Sequence, residues 1–272
     1  MSRIETLKIV LDELYARYNR RAFAHPDPVE LLYAYDDPRD REIAALVASA
    51  LSYGRVATIL ASARSVLRKM DPSPRRFLLE STDESLSDVF AAFRHRFARG
   101  SHLVALLSAA RAALVEHGSL ENAFAAGWDG ASDTVQPGLR AFLATLSRAS
   151  SRAGHLLPVP DSTSACKRMH LFLRWLSRRD EIDPGGWTAV HPAKLIVPLD
   201  THMHRIASAL GFTARASADA RAAYEITCAF RELRPEDPVR YDFCLTRLGI
   251  RRDADLDAFL SRCFPCEGTP HA

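Results

Sequence analysis

Apolar residues return every three or four positions along almost the whole chain, which is the spacing of one buried helix face. Residues 3 to 23 place Ile4, Leu7, Leu11, Leu14, Tyr15 and Tyr18 on one side. Pro26-Asp27-Pro28 breaks the pattern and offers a helix start. Asp36 to Asp40 offers another, with Asp37 as the cap and Pro38 at the first helical position. Ile43, Leu46, Val47, Ala50 and Leu51 then form a stripe. It is interrupted at Ser52-Tyr53-Gly54, resumes from Val56 to Leu67, and stops at Pro72 and Pro74. The same spacing predicts helices over Leu86–Phe97, Leu103–Leu114, Leu120–Ala126, Leu139–Leu146, Cys166–Arg178, Ala220–Leu233, Asp237–Leu248 and Asp255–Cys263. Residues 127–134 and 150–164 read as loops, and Asp180–Lys194 as a long connector carrying Pro184, Gly185, Gly186 and Pro192. There is no strand alternation and no internal repeat, so the pattern predicts an all-α fold of about ten to twelve helices.

The pattern changes most abruptly at Val197–Leu210. The extended apolar run Leu195-Ile196-Val197 is stopped by Pro198, and a helix follows with Met203, Ile206, Ala207 and Leu210 on one face and Gly211 at its end. Asp200 or Thr201 can cap it, because a short side-chain oxygen satisfies an orphan N–H of the first turn. A carboxylate there is held ionised by the dipole and pointed out of the chain turn, which suits a catalytic carboxylate as well as a plain cap.

Composition narrows the class. The chain has 272 residues, is 47% hydrophobic and carries a net charge of +3, enough for one large domain or two lobes. The charge is well short of a protein that coats nucleic acid. Any such role needs local clusters, and Arg17/Arg20/Arg21, Arg94/Arg96/Arg99 and Arg174/Arg178/Arg179 are candidates that could equally be solvated faces. Five scattered cysteines read as a reduced protein of the cytoplasm. The N-terminal MSRIETLKIVLDELYARY is charged throughout and is not expected to be a signal peptide. No run approaches the roughly 18 apolar residues of a membrane span.

One local rule is broken. In the helix predicted from Cys166, Ser164 is a plausible cap, and three residues on a capping box would take Glu or Gln. The chain has Lys167. A cation in the first turn opposes the dipole, and the apolar run Leu171, Phe172, Trp175, Leu176 behind it would partly desolvate the amine. Both effects lower an amine's pKa, which imine-forming catalysis needs. The bland alternative is an exposed lysine pairing with Asp161.

With these residues in view, PLDTHMHRIASALG resembles the segment after the hairpin in the helix-hairpin-helix (HhH-GPD) DNA glycosylases, and ACKRMHLFLRWL is similar to the lysine helix of the archaeal 8-oxoguanine glycosylase branch. Lys167 and Asp200 also lie further apart in sequence than in the usual hairpin arrangement, as in that branch. Together with DREIAALVASALSYGRV and DPVRYDFCLTRLGI, these stretches resemble an uncharacterised bacterial family sharing that superfamily's fold. The usual L-P-G-V-G-x-K-T-A hairpin is absent, so any anchor is remodelled between Trp175 and Pro198. The resemblance implies two helical lobes around a cleft, residues 36–198 forming one and residues 1–35 with 199–272 the other. It implies a monomer in the nucleoid that acts on damaged duplex DNA with no cofactor and no metal. The flipped nucleotide would meet Lys167 as nucleophile and Asp200 as the carboxylate beside the sugar. Tyr53, His202, His204 and Arg205 would contact DNA, with Tyr53 in the position of a base-pocket or wedge segment. An oxidised purine is the nearest analogy for the lesion.

Three other readings stay open. Asp200, His202 and His204 resemble a barrel hydrolase's H-x-H metal motif, but that needs a strand, since on a helix positions two apart point about 200° apart. Cys263 and Cys266 have the spacing of half an iron–sulfur site, which requires four cysteines; a two-cysteine remnant fits better. Finally, the fold could serve only to bind DNA or another partner.

Overall fold

The structure is a computed structural model that describes residues 2–158, 163–250 and 255–264. The all-α expectation holds, as nearly every element is helical. In chain order the helices are α1 (Arg3–Tyr18), α2 (Pro38–Ala50), α3 (Val56–Arg68), α4 (Pro74–Glu80), α5 (Asp83–Phe90), α6 (Gly100–His117), α7 (Leu120–Ala125), α8 (Gln136–Ala149), α9 (Lys167–Ser177), α10 (Thr201–Ala209), α11 (Ala220–Leu233), α12 (Asp242–Ile250) and α13 (Leu256–Cys263). Short 3-10 turns cover Pro28–Ala34 and Ser151–Leu156. No helix is long and apolar enough to cross a membrane among the described residues.

The chain divides into two compact units, Met1–Phe23 with Thr163–Lys167 and Ile196–Ala272, and Ala24–Ser162 with Arg168–Leu195. In the first, Leu7, Leu11, Leu14 and Tyr18 of α1 are buried, as are Met203, Ile206 and Ala207 of α10 and Ile226, Phe230 and Leu233 of α11. Phe230 packs edge-on against Phe212, ring centroids 4.9 Å apart. A polar clamp closes this core: Tyr241 donates to Asp12 Oδ1 at 2.7 Å, and Arg234 pairs with the same carboxylate. In the second unit α2 is buried on almost all sides, from Glu42 to Ala50. Glu42 has no exposed side-chain surface. Its oxygens accept the N–H groups of Leu120 (2.9 Å) and Glu121 (3.1 Å) and the indole N–H of Trp187 (3.1 Å). A buried carboxylate thus holds the start of α7, where free N–H groups favour negative charge. Phe142 and Phe172 stack on each other, Trp187 meets Phe172 edge-on, and Phe124 packs tilted against Phe142 and Trp187.

Several predicted bounds move, each for a reason that periodicity does not carry. The helix expected over Leu86–Phe97 ends at Phe90. A hairpin follows, β1 (Arg94–His95) pairing antiparallel with β2 (Ala98–Arg99), held by cross-strand bonds that no apolar spacing reveals. Pro74 starts a helix instead of ending one, because Ser73 caps it and proline is unstrained at the first position. The helix expected from Asp237 begins at Asp242, after a series of turns around Pro238.

Candidate active site

The carboxylate of Asp200 is placed by its own helix. Asp200 is extended (φ −121°, ψ −176°), and its Oδ1 accepts the N–H groups of His202 (3.0 Å) and Met203 (2.9 Å). The approach is pinned upstream, where Val197 N–H donates to Thr227 Oγ1 at 3.1 Å. At the far end Gly211 takes φ +76°, and a guanidinium N–H of Arg3 donates to the Leu210 carbonyl at 3.0 Å. With Met203, Ile206, Ala207 and Leu210 fully buried, α10 has a fixed orientation.

Oδ1 is the capping oxygen, which leaves Oδ2 to face Lys167 Nζ at 2.8 Å. Both residues belong to the first unit. The side chains are 34% and 22% exposed, so the pair is shielded but reachable by a ligand. Burial would raise the Asp200 carboxyl. The Lys167 ammonium, its hydrogen bond and the Met203 N–H outweigh burial and hold the carboxyl below its ordinary value.

Lys167 reaches this position by a route the sequence reading did not contain. The helix starts at Lys167 itself, not at Cys166, so the lysine occupies the first position and Ser164 is not its cap. Ser164 instead forms an antiparallel bridge with Asp219, and Ala220 N–H donates to the Thr163 carbonyl at 3.0 Å. Cys166 makes the turn into the helix with φ +45°, a region that non-glycine residues seldom enter. The Ser164 backbone thus pairs with the start of α11, while its Oγ accepts the Cys166 N–H at 3.3 Å and closes a local turn ahead of the helix. Asp219 carries this junction. It caps α11 by accepting Ala222 N–H at 2.9 Å and pairs with Arg215 at 2.8 Å. The signal for it was an aspartate directly before an apolar helix.

The other expected site residues separate. His204 is half-buried and its Nε2 donates to the Arg215 carbonyl at 2.9 Å, linking α10 to the Arg215–Asp219 pair and hence to Ser164. His202 and Arg205 are exposed on α10. Because His202 and His204 sit on a helix, they do not share a face as a metal-binding H-x-H pair would. Tyr53 lies in the second unit, in the turn between α2 and α3, where its hydroxyl donates to the His95 carbonyl at 3.0 Å and meets His155 Nε2 at 2.8 Å. Cys263 is buried, and burial pushes its thiol up to about 11. Cys266 lies outside the described residues.

Fold and site together define a predominantly helical protein with a lysine–aspartate pair at the mouths of two helices. A family described as "Protein of unknown function (DUF2400)" matches residues 27–251, and the chain belongs to that family. No curated protein and no solved structure matches it significantly.

Proposed function

We propose that the protein is a DNA base-excision glycosylase with associated lyase activity, acting on damaged duplex DNA as a two-lobed, helix-hairpin-helix-type enzyme. The observation that carries this reading is the 2.8 Å approach of Lys167 Nζ to Asp200 Oδ2 at the start of a rigid helix. One carboxylate oxygen is held by N–H groups and the other is free to exchange a proton with the amine. That suits a nucleophile and its activating base within reach of one sugar.

The steps balance with these two residues. A proton leaves Nζ for Asp200 Oδ2. The amine forms a bond to the sugar C1′ as the bond from C1′ to the base breaks, and the electron pair departs with the base, which takes the proton. Asp200, again anionic, stabilises positive charge developing at the sugar. Asp200 takes a proton from the nitrogen now bonded to C1′ and passes it to O4′ as the C1′–O4′ bond breaks, which leaves a protonated imine between Lys167 and C1′; Asp200 then takes the C2′ proton, and the electron pair of that C–H bond expels the 3′ phosphate. His202 and Arg205, exposed on α10, would contact flanking phosphates.

A second reading is favoured by one observation: both oxygens of Asp200 already have partners, so the pair is self-sufficient as a cap and an ion bridge. Borohydride trapping on duplexes bearing an abasic site or single damaged bases separates the two. A covalent adduct that is lost in Lys167→Ala supports the glycosylase. Absence of any adduct with the wild-type protein sinks it.

A further inference from the structure

The β1–β2 hairpin closes with a two-residue loop, Arg96–Phe97, and Phe97 at its tip is 72% exposed. An isolated exposed phenylalanine is common on protein surfaces. This one sits on an anchored support. His95, just before the loop, is buried, with Nδ1 2.9 Å from Ser62 Oγ and Nε2 3.2 Å from the Tyr53 carbonyl. Arg96 takes φ +53°, where asparagine or glycine would be the unstrained choice for a tight hairpin. Its side chain packs over Gly54, where an added Cβ would lie 2.8 Å from Arg96 Cδ. The Arg96 guanidinium lies 5.4 Å from the centre of the Phe97 ring, and His155 approaches the ring edge-on at 6.3 Å. A strained backbone kept in order to present an arginine and an aromatic ring is where function is sought.

The segments that build the tip carry charge of one sign. Three segments meet here: the α2–α3 turn, the hairpin and the 3-10 turn after α8. Each comes from a stretch of sequence without a single carboxylate, namely the residues between Glu42 and Asp71, between Asp88 and Glu116, and between Asp133 and Asp161. Arg55, Arg94, Arg96, Arg99 and Arg152 are exposed on them. Among the described residues none of these five pairs with a carboxylate. A flat ring beside one unneutralised guanidinium, on segments whose other exposed arginines also lack a carboxylate partner, matches a polyanion that also offers flat faces. Unpaired nucleotides are that ligand, because bases stack on aromatic rings while their phosphates meet arginine. A lipid surface would want several apolar side chains at the tip, and Phe97 is the one exposed large hydrophobic residue of this hairpin.

We propose that the Arg96–Phe97 hairpin is a binding surface for single-stranded DNA, with a base stacked on Phe97 and neighbouring phosphates held by Arg96 and Arg99. The choice of DNA over RNA rests on the function proposed above; the stacking surface itself does not.

The test is fluorescence anisotropy of a labelled oligothymidylate with the full chain, beside a blunt duplex and an oligouridylate. Phe97→Ala should weaken oligothymidylate binding roughly tenfold. Phe97→Trp should retain binding, and the new indole should be quenched as the strand is added. The double variant Arg96→Ala/Arg99→Ala should flatten the dependence of log affinity on log salt by roughly 0.7 per lost contact. Equal affinity of wild type and Phe97→Ala would overturn the proposal, as would a strand that binds without quenching Phe97→Trp. Phe97-dependent binding of oligouridylate alone would overturn the assignment to DNA. Loss of self-association in Phe97→Ala, with strand binding unchanged, would make the tip a contact between copies of the chain. Trapping at Lys167 is scored on the same preparations: no trapping with Phe97-dependent binding intact removes the glycosylase reading and leaves the stacking surface standing.

Discussion

Asp200 divides its carboxylate between two tasks, Oδ1 closing the first turn of α10 and Oδ2 meeting Lys167 Nζ at 2.8 Å. The division makes the two tasks separable by substitution. Asparagine is nearly as good a cap as aspartate, whereas alanine is not. Asp200→Asn should therefore unfold within a few tenths of a kcal/mol of wild type, and Asp200→Ala about 1 kcal/mol lower, by urea denaturation. Both should lower the rate of borohydride trapping by about 100-fold or more, since neither leaves a base beside the amine. A pair that is only a cap and an ion bridge would give no adduct in the wild type or in either variant, and Asp200→Asn would show only the stability lost with the ion pair.

The link from His204 through Arg215 and Asp219 to Ser164 makes His204 a positioning residue for Lys167. His204→Ala should slow trapping about tenfold, because small misplacements of a reacting group are costly, while stability falls by only about 1 kcal/mol for one lost hydrogen bond. His204→Gln, which keeps an N–H donor, should recover most of the rate. Equal rates in His204→Ala and wild type would remove the link from the account of the site.

Stability should fall as pH drops from about 6.5 to about 4, and His170 is the reason. Its ring is fully buried on α9 with Nδ1 unpartnered among the described residues, and burial lowers its pKa from 6.5 to about 4. In that window the unfolded chain binds a proton that the folded chain refuses, so acid favours unfolding. The loss has an upper limit of roughly 3 kcal/mol for a shift of this size. Asp200, held below its ordinary value, acts with the same sign further down: its contribution is present above the unfolded carboxyl pKa and fades as pH falls through the lower, folded one. His170→Leu should flatten the curve between pH 6.5 and 4 in denaturant titrations, and an unchanged slope would assign the acid sensitivity elsewhere.

Glu42 holds two backbone N–H groups and an indole inside the second unit. Glu42→Ala should leave all three buried donors unpaired and cost about 3 kcal/mol, with Glu42→Gln intermediate because one oxygen still accepts. Thermal unfolding of the three proteins at neutral pH gives the order directly.

Gly54 lies beneath the Arg96 side chain of the hairpin. It has φ +98°, and a methyl there would collide with Arg96 at 2.8 Å. Gly54→Ala should lower stability by about 1 kcal/mol or more and weaken oligothymidylate binding without touching Phe97 itself. Binding equal to wild type would mean that the tip tolerates displacement.

Much of the fold was written locally. The buried faces of α2, α10 and α11, the caps at Asp37 and Asp200, the proline at the start of α2 and the stop at Gly211 each depend on residues within a turn or two of one another. Apolar spacing and short side-chain oxygens encode such features directly. Tertiary structure decided the rest. The Ser164 backbone was bridged to Asp219, Lys167 took the first position of α9, and Cys166 was turned into a left-handed conformation. The segment after Phe90 became a hairpin because His95 found Ser62 and the Tyr53 carbonyl. These outcomes depend on partners distant in the chain, and no local propensity specifies which distant backbone a serine or histidine will meet. Local spacing placed Asp200 or Thr201 at the mouth of a helix, and the resemblance of PLDTHMHRIASALG to a glycosylase segment singled out Asp200. That Lys167 stands 2.8 Å from it is a property of how the strand-like segment at Ser164 and the start of α11 pack together.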